Sequence, residues 1–294
     1  MWRTGLTLFA FFGAIWGQAA CVPTVTGRLE TVHFESKVFH STRTLRVWLP
    51  PGFDAAKRYP VLYILDGASA FDACTAYNHD ELRADETLTE LIGAGKVPAL
   101  IAVGIDNGSD VLKKADDGAA RAREFLPYED PTFAGSRDPI GGAYSDFLEM
   151  EVLAAVARKY PVATGSDSTT LWGASYGAIA AVNILVRRPE MFGRMILESP
   201  ALQVGNGQML RDTMHLVMAP ARIAVGIGTK EIPVELVKQL ADNLKSTSTR
   251  PQVEINITEG GTHDTKTFGT RLAAALEFVY GTTKQSPTGK LNGK

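Results

Sequence analysis

Gly173-Ala174-Ser175-Tyr176-Gly177 fits the pattern G-x-S-x-G, and it stands directly after the apolar run Thr169 to Trp172 and directly before a stretch with helical spacing, Ile179 to Arg187. A serine at such a sharp strand-to-helix turn has its hydroxyl lifted above the carboxyl edge of a sheet, where ligands bind in open α/β folds. Side chains at the flanking positions would collide with the neighbouring strand and helix, which accounts for glycine at both ends. The hydroxyl is a poor nucleophile until a base removes its proton. Of five histidines, His263 alone lies beyond the last apolar run, on the loop Glu259-Gly260-Gly261-Thr262 that precedes a closing helical stretch. His33, His40, His79 and His215 are assigned to structure or surface, although His79 sits in a loop that could reach the site.

The chain order serine, acid, histidine places the third member after the penultimate strand. Glu231 is the first acid past the run Arg222 to Ile227, with Glu235 one helical turn later as the alternative and simple helix capping as the plainer role. A carboxylate there would hold the imidazole tautomer and stabilise the imidazolium formed during attack. Negative charge developing on a substrate oxygen needs preorganised donors. One is the backbone amide of Tyr176, next to the serine; the other is expected from the loop after Val61 to Leu65, where Gly67 and Ala68 lack bulk. The chemistry this set could perform is acyl transfer from an ester.

Elements that could carry such a set are legible along the chain. Leu29 to Ser36 and Thr44 to Leu49 read as an antiparallel opening, broken by Pro50-Pro51-Gly52. Val61 to Leu65, Ala99 to Ile105, Thr169 to Trp172, Arg194 to Leu197, Arg222 to Ile227 and Gln252 to Ile257 are apolar runs of strand length, as expected where strands are buried on both faces. Tyr144 to Lys159, Ile179 to Arg187, Pro233 to Leu244 and Phe268 to Val279 show apolar residues at helical spacing. Alternation of this kind predicts an α/β fold, a mostly parallel central sheet with helices on both faces. Residues 107–142 are long, rich in Asp, Gly, Arg and Pro, and without a clear period, so they are expected to be functional or mobile, a lid being one option.

With 294 residues, 45% hydrophobic and 21% charged, the composition suits one globular domain with a sizeable core. The formal net charge is −2 and the basic residues are scattered, which argues against nucleic acid or an anionic membrane surface as partner. Met1-Trp2-Arg3, the apolar stretch Leu6 to Trp16 and the small residues after Gln18 read as a cleaved export signal over residues 1–20. That stretch is shorter than the roughly 20 residues needed to span a bilayer. Gln18 stands where a lipoprotein signal normally carries Leu, which argues against lipidation of Cys21. Cys21 and Cys74 are the two cysteines; an exported chain could join them or leave both free. The catalytic domain is expected over residues 21–281 and a disordered tail over 282–294, where almost nothing is apolar. No metal site and no NAD, flavin or phosphate loop is expected, since neither ligand spacing nor the Gly-rich motifs occur.

Several further blocks occur in order: Tyr63-Ile64-Leu65-Asp66-Gly67, Val103-Gly104-Ile105-Asp106, Arg121-Ala122-Arg123-Glu124-Phe125-Leu126-Pro127, Gly141-Gly142-Ala143, Phe147-Leu148, Arg188-Pro189-Glu190-Met191-Phe192-Gly193, Ser199-Pro200-Ala201 and Gly260-Gly261-Thr262-His263-Asp264. With the serine elbow they make the chain resemble the enterochelin-esterase-like branch of the esterase D family over roughly Val32 to Tyr280. Members of that α/β-hydrolase family hydrolyse siderophore, feruloyl, acetyl, formyl-thiol or similar esters without a cofactor. The resemblance implies that Ser175, Glu231 and His263 occupy its catalytic positions, and that Arg123 and Glu124 belong to a segment lining the substrate cleft. Two departures, Ala174-Ser175-Tyr176 at the elbow and Thr262 before the histidine, bear on substrate shape more than on catalysis. The expectation is a small-molecule ester substrate, siderophore-type first and plant-wall feruloyl or acetyl esters next. Acyl transfer to a sugar hydroxyl, as in the mycolyl transferases of this fold, and a non-catalytic ligand-binding role are the competing classes.

Overall fold

A computed structural model describes residues 21–108 and 118–281. The expected export signal (1–20), the expected tail (282–294) and part of the long 107–142 segment therefore lie outside the described residues. All eight expected strands form one sheet: β1 (Arg28–Ser36), β2 (Ser41–Leu49), β3 (Val61–Leu65), β4 (Ile101–Ile105), β5 (Thr169–Ala174), β6 (Arg194–Glu198), β7 (Arg222–Gly228) and β8 (Gln252–Thr258). Their spatial order is β1-β2-β4-β3-β5-β6-β7-β8. β1 and β2 run antiparallel and every pair from β4 through β8 is parallel.

Burial follows position in the sheet. Every residue of β3 and β4 is buried, whereas the edge strands β1 and β8 alternate between covered and exposed positions. That is the pattern expected when only the central strands are roofed on both faces.

Among the described residues, eight α-helices cover the two faces: α1 (Ala84–Gly93), α2 (Ala119–Phe125), α3 (Tyr144–Phe147), α4 (Ala154–Lys159), α5 (Tyr176–Arg187), α6 (Val204–Thr213), α7 (Val234–Lys245) and α8 (Thr265–Tyr280). Strand side chains divide by alternation. Tyr63 and Leu65 join the core under α2 to α7, while Leu62 and Ile64 join a second core under α1 and α8. The helix expected from Tyr144 to Lys159 is present, but a π-helical turn at Leu148–Leu153 separates α3 from α4.

The loop between β3 and α1 closes tightly on the sheet. It makes a 3-10 turn at Gly67–Ser69 and returns, with Leu82 N donating to Ser69 O (2.7 Å) and Ala84 N to Ala70 O (3.0 Å). A Cβ on Gly67 would lie 2.4 Å from Gly104 C and Ile105 N, so this loop can close onto β4 only because position 67 has no side chain. Cys21 and Cys74 are joined by a disulfide, which ties the N-terminal segment to the same loop. Thr24 N donates to Asp72 Oδ1 (3.2 Å) and Ala73 N to Thr24 Oγ1 (2.9 Å), so the segment lies along the loop like a strap. Farther on, Thr26 N donates to the buried Asp85 Oδ2 (2.5 Å).

Candidate active site

β5 ends at Ala174 and α5 begins at Tyr176, so Ser175 alone makes the turn, at φ 58° and ψ −122°. A non-glycine residue in so sparsely populated a region costs on the order of 1–3 kcal/mol and persists only where the surroundings impose it. Here they do. Ser175 N donates to Glu198 O (2.9 Å) and Ser175 O receives the Ala178 and Ile179 amides (3.1 and 3.2 Å). A Cβ on Gly173 would sit 2.4 Å from Gly177 O, which explains the first glycine of the motif.

His263 leaves the loop after β8 and reaches Ser175, with Nε2 2.8 Å from Oγ. Its Nδ1 is 2.7 Å from Glu231 Oε2. The imidazole is 46% exposed and the Glu231 carboxylate 1%. Of the two acids considered after β7, Glu231 makes this contact; Glu235 lies in the first turn of α7 and pairs with Lys238 (3.6 Å). Glu231 Oε1 accepts from the Gly228 amide (2.7 Å) and the Ser199 hydroxyl (2.9 Å). Burial alone would raise the Glu231 carboxyl, but the hydrogen bonds from His263, Ser199 and Gly228 outweigh it and hold the group below its ordinary value.

Behind Glu231 lies a buried ion pair absent from the sequence-based expectation. Arg271 of α8 donates from Nε to Glu198 Oε2 (2.8 Å) and from Nη2 to Ser199 Oγ (3.1 Å). Its Nη2 is 4.0 Å from Glu231 Oε1. Burial pushes the Glu198 carboxyl up to about 7, against the lowering effect of Arg271 and with a raising effect from Glu231. A sequence signal existed. Phe268, Arg271, Leu272 and Ala275 fall on the apolar stripe of α8, and an arginine on such a stripe needs a buried partner.

Of the expected oxyanion donors, Ala68 lines the same cavity as Ser175, and Tyr176 follows Ser175 directly in the chain. Tyr176 is the first residue of α5, and Gly67 and Ala68 open the 3-10 turn whose later amides, Ser69 and Ala70, are taken by Asp66 O and Gly67 O (2.9 and 3.1 Å). First-turn amides have no partner within their own helix and point at whatever lies beyond its N-terminus. The close approach to β4 by itself requires glycine at position 67.

Ser175 and Ala68 open onto a cavity of about 280 Å³ on the α1/α8 face of the sheet. Ile64 and Trp172 form its deep end, and Ala70, Leu82 and Phe268 its sides. At the mouth Arg121 donates twice to Asp66 (2.7 Å each) and stacks over the rings of Phe125 and Tyr176. Arg123 and Glu124, expected to line the cleft, do not line this cavity. Glu124 is buried in a two-point ion pair with Arg43 (2.6 and 2.8 Å), and Arg123 donates to Asp138 O (3.2 Å) at the surface. Arg121, on the same short helix, takes the place at the cavity. Among the described residues no group of His, Cys, Asp or Glu has metal-binding geometry, and no helix is long and apolar enough to cross a membrane.

Comparison with known proteins agrees with this architecture. Residues 36–279 match the family described as "Putative esterase". YbbA of Bacillus subtilis is 23% identical over 253 residues, 81% of this chain and 93% of that protein. The ferri-bacillibactin esterase BesA of the same organism is 26% identical over 208 residues, covering 68% of this chain and 66% of BesA. The crystal structure of the BES protein from Bacillus cereus superposes with a TM-score of 0.68 at 18% identity, covering 90% of this chain and all of that one (100%). The chain belongs to the "Putative esterase" family and is a carboxylic ester hydrolase of α/β-hydrolase fold.

Proposed function

We propose that the chain hydrolyses a small-molecule ester through an acyl-serine intermediate, with Ser175 as nucleophile, His263 as base and acid, and Glu231 as the group that orients and supports the imidazole. The observation that carries this reading is the continuous path Ser175 Oγ to His263 Nε2 (2.8 Å) and His263 Nδ1 to Glu231 Oε2 (2.7 Å). In acylation Oγ bonds to the carbonyl carbon as its proton passes to Nε2. The carbonyl oxygen becomes an oxyanion facing the Ala68 and Tyr176 amides. As the tetrahedral intermediate collapses, the ester C–O bond breaks and Nε2 returns the proton to the departing alkoxide. Water then repeats the sequence against the acyl-serine, its proton passing to His263 and on to Ser175 Oγ.

A siderophore-type ester is the first substrate class to test, on the similarity to BesA; feruloyl and acetyl esters come next. We assign the catalytic unit to residues 21–281, following an export signal. The Cys21–Cys74 disulfide supports an oxidising compartment outside the cytoplasm, and it engages the sulfur that lipidation of Cys21 would require.

The test is turnover of an ester panel by wild type and Ser175→Ala: p-nitrophenyl acetate and butyrate, methyl ferulate and an iron-loaded catecholate trilactone. Loss of turnover in the folded variant is the expected result. Undiminished turnover would rule out Ser175 as nucleophile.

A further inference from the structure

The depth of the cavity beside Ser175 can be read from the strand register. Ile64 of β3 and Trp172 of β5 are direct partners across the sheet, and both point to the α1/α8 face. Both line the cavity, as do Ala174, two residues farther along β5 toward the elbow, and Asp66, just past the end of β3 at φ 60°. Leu62 and Thr170, the next pair down that face, do not line it and are fully buried. The cavity therefore runs from the nucleophile down the sheet for two strand residues, about 6–7 Å, and stops on the Ile64–Trp172 pair.

Its chemistry changes along that path. Among the described residues, the charged members of the lining are Asp66 and Arg121, which pair with each other at the mouth. The rest of the described lining is uncharged: Ala70, Leu82, Phe268, Ala174, Ile64 and Trp172 are apolar, and Ser69, Tyr77, Asn107 and Thr265 add neutral polar groups, so no further charged side chain among the described lining residues could compensate a buried charge.

We infer that this cavity takes one uncharged, apolar arm of the ester, and that Trp172 with Ile64 acts as the ruler that sets the arm's length. The inference rests on the proposed acyl-serine reaction, since the arm is defined by its attachment to the carbon that Ser175 attacks. An extended chain advances about 1.2 Å per bond, so the strand-derived depth holds five or six bonds. The 280 Å³ volume exceeds the ~150 Å³ of an apolar cavity that holds one six-membered ring, so it leaves room for a few atoms more than six. The substrate class is an ester with one linear or singly ringed arm of about six to nine non-hydrogen atoms. A bulky, charged iron–chelate core would stay outside, with only such an arm inserted.

The experiment is a chain-length profile of kcat/KM on two series, p-nitrophenyl esters from acetate to palmitate and n-alkyl acetates from methyl to dodecyl. The first lengthens the acyl arm and the second the alcohol arm. In the series whose arm enters the cavity, kcat/KM rises about fourfold per carbon to an optimum near six to nine carbons and then falls. Trp172→Leu moves that optimum to longer chains and Ile64→Phe to shorter ones. A fold defect would lower every chain length together and leave the optimum in place. Inhibition of the wild type by straight-chain alkylboronic acids, which add to the serine oxygen, gives the same profile should a variant fail to fold. Flat profiles in both series, or an optimum that neither folded variant moves, would overturn the ruler. If Ser175→Ala retains turnover, the acyl-serine reading fails instead, and the two failures are told apart.

Discussion

Glu231→Gln is the substitution for which the structure dictates both direction and size. The two donors at Oε1, the Gly228 amide at 2.7 Å and the Ser199 hydroxyl at 2.9 Å, are fixed by backbone and by Arg271. A glutamine placed there must turn its carbonyl oxygen toward those donors, and so its NH2 toward His263 Nδ1. An NH2 facing Nδ1 forces that nitrogen to accept, which moves the ring proton to Nε2, the atom 2.8 Å from Ser175 Oγ. The base then presents a donor where the mechanism needs an acceptor, and the support for the imidazolium is gone. The expected loss in kcat is ~10³–10⁴-fold, or about 4–5.5 kcal/mol of barrier, with KM changed little because Glu231 lies behind the imidazole. Steady-state kinetics on p-nitrophenyl butyrate would measure it, with the melting temperature as control. A folded variant that loses less than about tenfold would refute the role given to Glu231.

The same geometry sets the outcome of weaker perturbations. Ser199→Ala removes one of two donors on Oε1 and the link from Arg271 to Glu231; kcat should fall about tenfold with KM unchanged, read from initial rates. Asp85 is fully buried and its carboxyl is pushed up to about 7, chiefly by burial. A raised acid holds its proton longer when folded, so stability is greatest below the unfolded value of about 4 and declines as pH rises toward 7, by on the order of 2 kcal/mol after screening. Asp85→Asn should flatten that decline in melts at pH 5 and pH 8. Reducing Cys21–Cys74, which closes a separation of 53 residues, should cost about 4 kcal/mol. It should also raise KM for apolar esters, because the loosened loop carries the Ala70 and Leu82 walls of the cavity; calorimetry and kinetics with and without reductant decide it.

Much of this was legible from the residues because the central strands are continuous apolar runs and the edges alternate. The order serine, acid, histidine along the chain pointed to the segment after β7, where Glu231 came first and Glu235 stayed open as the alternative until the distances were known. What the sequence hid is long-range pairing. Glu124 was expected in a cleft-lining segment, and only the fold brings Arg43 from β2 to bury it in an ion pair. The same packing turns Arg121 rather than Arg123 toward the cavity. α6 was missed because Gly205, Asn206 and Gly207 adopt positive φ inside it, so no helical period survives there. α1 went unread because its N-terminus carries no capping side chain and follows an Arg83 at φ 60°.

The proposed catalytic geometry and the proposed choice of substrate rest on different kinds of contact. Each reacting group is set by a place where two backbones touch. Missing Cβ atoms at Gly67, Gly173 and Gly228 would lie 2.4, 2.4 and 2.3 Å from the main chain of β4, the start of α5 and Gly261. Those close approaches constrain the Gly67–Ser69 turn, the serine turn and the loop that carries His263 through backbone contact rather than through exchangeable side chains. The cavity floor, by contrast, is two side chains on β3 and β5, Ile64 and Trp172, whose exchange changes volume without touching any of the three contacts. Selection on substrate can therefore act at the floor while distances near 2.8 Å at the serine are retained.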